Sequence, residues 1–362
     1  MNQSLSRRNV LAGFAAAAAA SAIPARAAEE KTAVAIIGCA HIHTPGFGNM
    51  LKKRDDISVK YVWDHDPARA KTYVDKFAAK FIDKPAEALD DPAVKAVIIC
   101  SETNRHTDLV VPAANAKKAI FAEKPLSASG KEALAMADAI EKAGVVFSTG
   151  YFMRGDAKNL FLKEQVAAGA FGKITKVYAA NCHSGSIGRW FDKEWRWMAD
   201  PRIAGVGAFG DLGTHSLDIL MWVLGDIESV AADVEVVLGN YGDCDESGQA
   251  SLKFKNGALG TLVAGWVDIA NPVSIMISGT EGIATVFHDK LYFKSNKVQG
   301  SNDGQPWTKL PAGKPHAFEM FLDKITNKGE PMLVTPREAA LRVVAMEAMY
   351  NAAKEKKWVS VG

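Results

Sequence analysis

At 362 residues, with 43 basic against 41 acidic side chains, the chain has no basic excess for a nucleic acid and no charged tail. The length exceeds one ordinary hydrophobic core, so two domains are expected. Cys39, Cys100, Cys182 and Cys244 are scattered, none forms a C-x-x-C pair, and nothing in their spacing announces a disulfide.

Residues 1–27 read as an export leader. Ser6-Arg7-Arg8-Asn9-Val10-Leu11 precedes an alanine-rich run to Ala20, then Pro24 and Ala25-Arg26-Ala27. A charged start, a short apolar middle and small residues at a cleavage point define a signal peptide, and the run is too short to span a bilayer. The paired arginines point to twin-arginine export of an already folded protein. Cleavage after Ala27, a periplasmic location and no membrane insertion afterwards are the expectations.

From 31 to 150 the pattern alternates strand and helix. Ala33-Val34-Ala35-Ile36-Ile37 is an uninterrupted apolar run, the mark of a strand buried on both faces. It enters Gly38-Cys39-Ala40-His41-Ile42-His43, where a dinucleotide fold places G-x-G-x-x-G. Gly38 supplies the sharp turn and Ala40 is small enough for a pyrophosphate to approach, but His43 fills the third place. Ile57–Trp63 reads as a strand, and Asp66-Pro67 caps a helix to Lys80. Strands follow at Lys95–Cys100, Ala119–Glu123 and Val145–Thr149, with helices ending at Lys117 and spanning Lys131–Ala143. Such spacing means βαβ units and a parallel sheet that binds its ligand at the carboxyl ends of its strands. Asp64, at the end of the second strand, is placed to accept from an adenosine ribose and repel a 2′-phosphate, which favours NAD, with NADP the alternative. The polar turn Ser101-Glu102-Thr103-Asn104-Arg105-His106 follows the next strand, and Glu123-Lys124-Pro125 the one after.

The second half starts a new sheet at Gly172. Strand-like segments at Ile227–Val237, Gln249–Phe254, Gly257–Trp266, Val273–Ser278 and Ile283–His288 lack helical periods between them and predict an antiparallel sheet, with a hairpin from Glu281 to Asn296. Helices are expected at His316–Lys328 and Pro336–Lys356. Gly210-Asp211-Leu-Gly-Thr-His215-Ser-Leu-Asp218 opens another helix, with Asp211, His215, Asp218 and Trp222 on one face.

Glu123-Lys124-Pro125 and the Asp211–Asp218 block, in this order behind a βαβ half, resemble the glucose–fructose oxidoreductase/inositol dehydrogenase (Gfo/Idh/MocA) family. The resemblance covers nearly the whole mature chain. It implies an α/β protein: a Rossmann NAD(P)-binding domain at 31–150, and an α+β substrate-binding and oligomerisation domain at 151–362 with a large, mainly antiparallel sheet. It departs from the family in the worn glycine turn and in Glu102 and Thr103, which replace a proline and an asparagine. The implied catalytic groups are His215 as general base, Lys124 as polariser or proton relay, and Asp211 as orienting carboxylate and substrate ligand. The implied cofactor contacts are Gly38, Ala40, His41, Ile42 and Asp64 near the first turn. Ser101, Thr103, His106, Glu123 and Lys124 continue them along the strand ends.

Substrate contacts are expected from Asp211, from Tyr151 and Arg154 at the crossing between domains, and from Trp190, Trp197 and Arg202. Indoles stack on sugar faces and arginine ligates hydroxyls, although a core or subunit contact uses the same residue types. No metal is expected. His41 and His43 with Cys39 nearby have an unspecific spacing, and the sequence shows no further ligand cluster. Export away from the NAD pool implies a tightly bound cofactor recycled in place while a sugar or polyol is oxidised. The alternatives are a redox-neutral NAD-dependent glycosidase, working by oxidation, elimination, hydration and reduction, and a sugar-binding protein without a reaction. A homodimer or homotetramer is the expected assembly.

Overall fold

The computed structural model describes residues 31–362. The leader read in residues 1–27 lies outside them. Among the described residues no helix is long and apolar enough to cross a membrane.

The first sheet takes its strands from β1 (Thr32–Cys39), β2 (Ile57–Trp63), β3 (Lys80–Phe81), β4 (Val94–Cys100), β5 (Ala119–Ala122) and β6 (Phe147–Thr149), in the order β3-β2-β1-β4-β5-β6, all parallel. Helices α1 (Thr44–Lys52), α2 (Pro67–Phe77), α3 (Ala86–Leu89), α4 (His106–Asn115) and α5 (Gly130–Ala143) connect them. The apolar runs of β1 and β4 are buried because helices cover both faces of the sheet. Asp66 caps α2 by accepting from the Ala68 N–H, and Ala78 in the left-handed region ends that helix three residues before the expected Lys80.

The second domain begins with α6 (Ala157–Ala167) and β7 (Ile174–Cys182), followed by α7 (Pro201–Ala204) and α8 (Ala208–Leu224). Strands β8 (Ile227–Glu235), β9 (Ser247–Phe254), β10 (Leu259–Gly265), β11 (Val273–Gly279), β12 (Gly282–Phe287), β13 (Lys290–Ser295) and β14 (Asn302–Pro306) complete its body. Helices α9 (Ala317–Ile325) and α10 (Pro336–Glu355) and the short β15 (Val359–Ser360) close the chain. The nine-stranded sheet runs β14-β13-β12-β11-β7-β10-β9-β8-β15. Its ladders are antiparallel except β7 with β10, which are parallel because β10 inserts beside the strand that started the sheet.

Helix α8 is almost entirely buried, pressed between the second sheet and the first domain. The last two helices return to the first domain. Phe318, Phe321 and Leu322 of α9 join Val34, Ile36 and Phe121 in one cluster, while Val343 of α10 packs with Ala133, Met136 and Ala137 of α5. The carboxyl edge of the parallel sheet therefore faces α8 across a crevice walled by both halves.

Candidate active site

Two elements deliver the central groups. Lys124 stands just after β5, its peptide bond to Pro125 in the cis form. Asp211 and His215 occupy successive turns of α8. Lys124 Nζ donates to Asp211 Oδ1 at 2.7 Å, and both groups are buried. Trp266 Nε1 donates to Asp211 Oδ2 at 3.2 Å, so the carboxylate is held from both sides. Burial works to raise the Asp211 carboxyl, but the Lys124 ammonium outweighs it and keeps the group at about 2. Burial, reinforced by the Lys124 charge, pushes the His215 imidazole well below its ordinary value. At neutral pH His215 is a free base. Its Nδ1 is buried with no hydrogen-bond partner, and Phe152 and Tyr151 flank the ring at 5.1 and 6.1 Å between centroids. The sequence reading gave Asp211 the task of orienting His215; the structure shows that carboxylate bonded to Lys124 and Trp266 instead.

At the first turn, Gly38 has φ +88°, and a Cβ there would lie 2.6 Å from the Ser101 backbone, so only glycine fits. A cavity of about 420 Å³ opens against Cys39, Ala40 and His41, with Arg69 and Lys76 on its wall. Asp64 does not face it. Its Oδ2 accepts from the Cys39 N–H at 2.6 Å, and its Oδ1 from the Asp66 N–H and Arg69, which leaves the side chain fully buried as a brace between the ends of β1 and β2. Arg69 bridges onward to Glu102 at 2.8 Å. There Arg69 Nε is buried without a hydrogen-bond partner, while Glu102 Oε2 makes no hydrogen bond but faces His65 and Arg105, each at 3.5 Å. The residues present thus fit a dinucleotide: a glycine turn, a cavity beside it, and Arg69 on the cavity wall. Glu102, read in the sequence as a departure from the family's proline, is an ion-pair partner of Arg69, His65 and Arg105.

The other expected contacts divide between the crevice and the protein interior. Both ring nitrogens of His106 lie against backbone carbonyls, of Leu126 at 3.1 Å and Ser101 at 3.3 Å, so it pins two loops together. The Ser101 hydroxyl turns to the Glu102 carbonyl. Ile42 packs against the second domain's core. Thr103 does line the narrow cleft beside Lys124, His41 and Asp211. Trp197 closes that cleft and donates from Nε1 to the Ala40 carbonyl at 3.1 Å. Tyr151 is buried, with its hydroxyl 2.9 Å from that of Thr214. Arg154 is buried in two hydrogen bonds to Asp218 and a third to Glu338, and Arg342 shares the same aspartate. Arg202 points to solvent and pairs with Asp200. Trp190 is half exposed against His183. Of the six expected substrate residues, Asp211 and Trp197 stand at the crevice.

His41 and His43 form a hydrogen-bonded turn, in which His41 Nδ1 accepts from the His43 N–H at 3.2 Å. Glu123 projects onto the pair, with Oε1 3.0 Å from His43 Nδ1. Burial holds His41 neutral, at about 3, with the Glu123 charge opposing. All four cysteines are free, and the buried Cys39 and Cys100 thiols are raised by desolvation, which makes them inert.

Comparison with known proteins places this geometry. Residues 32–151 match the oxidoreductase family with an NAD-binding Rossmann fold, and residues 160–285 the GFO/IDH/MocA C-terminal domain. Myo-inositol 2-dehydrogenase of Thermotoga maritima is 33% identical over 240 residues, 63% of this chain and 67% of that protein. Scyllo-inositol 2-dehydrogenase (NAD(+)) of Bacillus subtilis is 30% identical over 60% of this chain and 63% of its own length, so the alignment spans less than two thirds of that relative. Levoglucosan dehydrogenase, solved with NADH and levoglucosan, superposes with a TM-score of 0.76 at 22% identity, over 92% of this chain and all of that one. The chain belongs to the GFO/IDH/MocA family of NAD-binding oxidoreductases.

Proposed function

We propose that this protein oxidises a ring hydroxyl of a sugar or polyol by hydride transfer to NAD. The observation that carries the reading is the Lys124–Asp211 pair, made across the domain boundary, with a neutral His215 one turn further along α8. When bound, NAD supplies the hydride acceptor at the strand ends. His215 takes the hydroxyl proton, for which its unprotonated ring is already prepared. Lys124 donates to the oxygen as negative charge develops on it, and Asp211 with Trp266 keeps the ammonium in position. Trp197 and Met198 close over the cleft and exclude water from it. The curated relatives act on inositols, which supports a cyclic polyol or pyranose as substrate.

The leader in residues 1–27 supports periplasmic delivery with the dinucleotide already in place, and hence a cofactor reduced and reoxidised without leaving. The test is mass spectrometry of the nucleotide retained by protein purified from the periplasm, followed by incubation with one polyol, then with a polyol plus a carbonyl sugar. Paired oxidation and reduction supports the reading. Release of an aglycone without net redox change would replace it with the glycosidase, and bound sugar without turnover would replace it with a binding protein.

A further inference from the structure

Hydride transfer at Lys124 and His215 uses one ring of a substrate and leaves a cavity beside them without a task. The cavity, of about 500 Å³, is lined by Phe152 and by Ser216, the residue after His215. It shares no lining residue with the cavity at Cys39–His41 that suits the dinucleotide. Its floor is apolar: Ile219 of α8, Ile275 of β11 and Val286 of β12 are buried there. One wall is a strap, residues 314–316, laid against the turn at 152–155. The Lys314 N–H donates to the Gly155 carbonyl at 2.8 Å, and a Cβ on Gly155 would stand 3.1 Å from the Lys314 carbonyl, so the glycine lets the strap come this close. The strap sets the His316 ring nearly parallel to Phe152, 5.5 Å between centroids and 14° between planes. Phe152 is in turn 5.1 Å from the His215 ring, so an aromatic wall leads from the general base into the cavity.

His316 Nδ1 accepts from the Phe318 N–H at 3.1 Å as the cap of α9, and burial favours the neutral ring. Its remaining proton is therefore on Nε2, a donor for a hydroxyl or a glycosidic oxygen. Two lysines and two aspartates border the space, and Lys158 is tied to both carboxylates, Asp156 at 3.1 Å and Asp289 at 2.9 Å. The lining thus carries no net charge, which suits a neutral group and offers a phosphate or a carboxylate no cluster of cations. Aromatic faces and a few placed polar groups over an apolar floor are the make-up of a small-molecule site. We propose that the substrate is a neutral glycoside: its reacting ring lies at Lys124 and His215, and its second ring, a sugar or an aglycone, fills this cavity against Phe152 and His316. The proposal rests on the oxidation reading for which ring reacts, whereas occupancy of the cavity is read without turnover.

The test measures binding to full-length mature protein saturated with NADH, which cannot oxidise a hydroxyl. 4-Nitrophenyl glycosides of glucose, galactose, mannose and xylose, in both anomers, and disaccharides of the same sugars are titrated beside the methyl glycoside of each sugar. At least one compound should bind about 10-fold or more tighter than its methyl counterpart, from ring stacking and one added hydrogen bond. A gain among the nitrophenyl compounds marks an aglycone in the cavity, and a gain among the disaccharides a second sugar. Ser274→Trp, at the start of β11 on the cavity lining, should erase the gain and leave the methyl glycoside within about twofold of wild type. His316→Asn, which keeps a capping side chain for α9, should lose about 10-fold of the gain with the Nε2 donor and the ring stack. Binding of every compound no tighter than its methyl counterpart would overturn the proposal, as would a gain that survives both variants. With NAD⁺ in place of NADH, tight binding without nicotinamide reduction would contradict hydride transfer and leave the occupant of the cavity assigned.

Discussion

His215 is buried, unprotonated and without a partner for Nδ1, a costly state for a structural histidine. His215→Ala and Lys124→Ala should each lower turnover by about 10²–10⁴ with unchanged circular dichroism; near-normal kcat in either removes that residue from the chemistry. The pH dependence has a fixed sign. The native His215 pKa lies below the unfolded 6.5, so in the acid range the unfolded chain binds a proton that the native site refuses. Its contribution to stability is present above about pH 6.5 and is lost as pH falls through the native value. Thermal melts from pH 7 to 5 should therefore show falling Tm, with a shallower slope in His215→Asn. The acidic limb of kcat/KM should also lie below 6.5. A limb above that value would contradict the buried, neutral base.

The elements were more legible in the sequence than the contacts between them. The apolar run of β1, the Asp66-Pro67 cap and the turn-bounded strands of the second sheet carry local signals, and the structure follows them within a few residues. Gly38 was readable for the same reason, since its turn needs positive φ. Gly38→Ala should cost on the order of 1–3 kcal/mol for backbone strain alone, and more from the clash with Ser101, measured by urea denaturation. Arg154 and Asp64 were misassigned because an exposed ligand and a buried brace use the same charged residues, and composition does not reveal the partner. The partner of Arg154 lies 64 residues away on α8, and that of Asp64 is a backbone N–H 25 residues back. Removing one member of the first pair, as in Arg154→Met, leaves Asp218 short of its principal counter-charge. It should destabilise by about 3–5 kcal/mol in chemical denaturation without raising KM selectively; a selective rise in KM would restore Arg154 to the substrate site.

At the scale of the whole molecule, the parallel sheet presents Lys124 and the second domain presents Asp211 and His215, so neither half carries the reaction alone. Helices α9 and α10 tie the halves by packing the end of the chain on the first domain, an arrangement no local pattern announces. The crevice between them is where the function is decided. The most direct test is a single-turnover measurement: protein saturated with NAD⁺ is mixed with cyclic polyols and pyranoses carrying deuterium on each carbinol carbon in turn. Deuterium arriving in the reduced nicotinamide from one defined carbon, and failing to arrive with His215→Ala, is the predicted result. Bound NAD⁺ and bound sugar with no isotope transfer from any position would contradict the account.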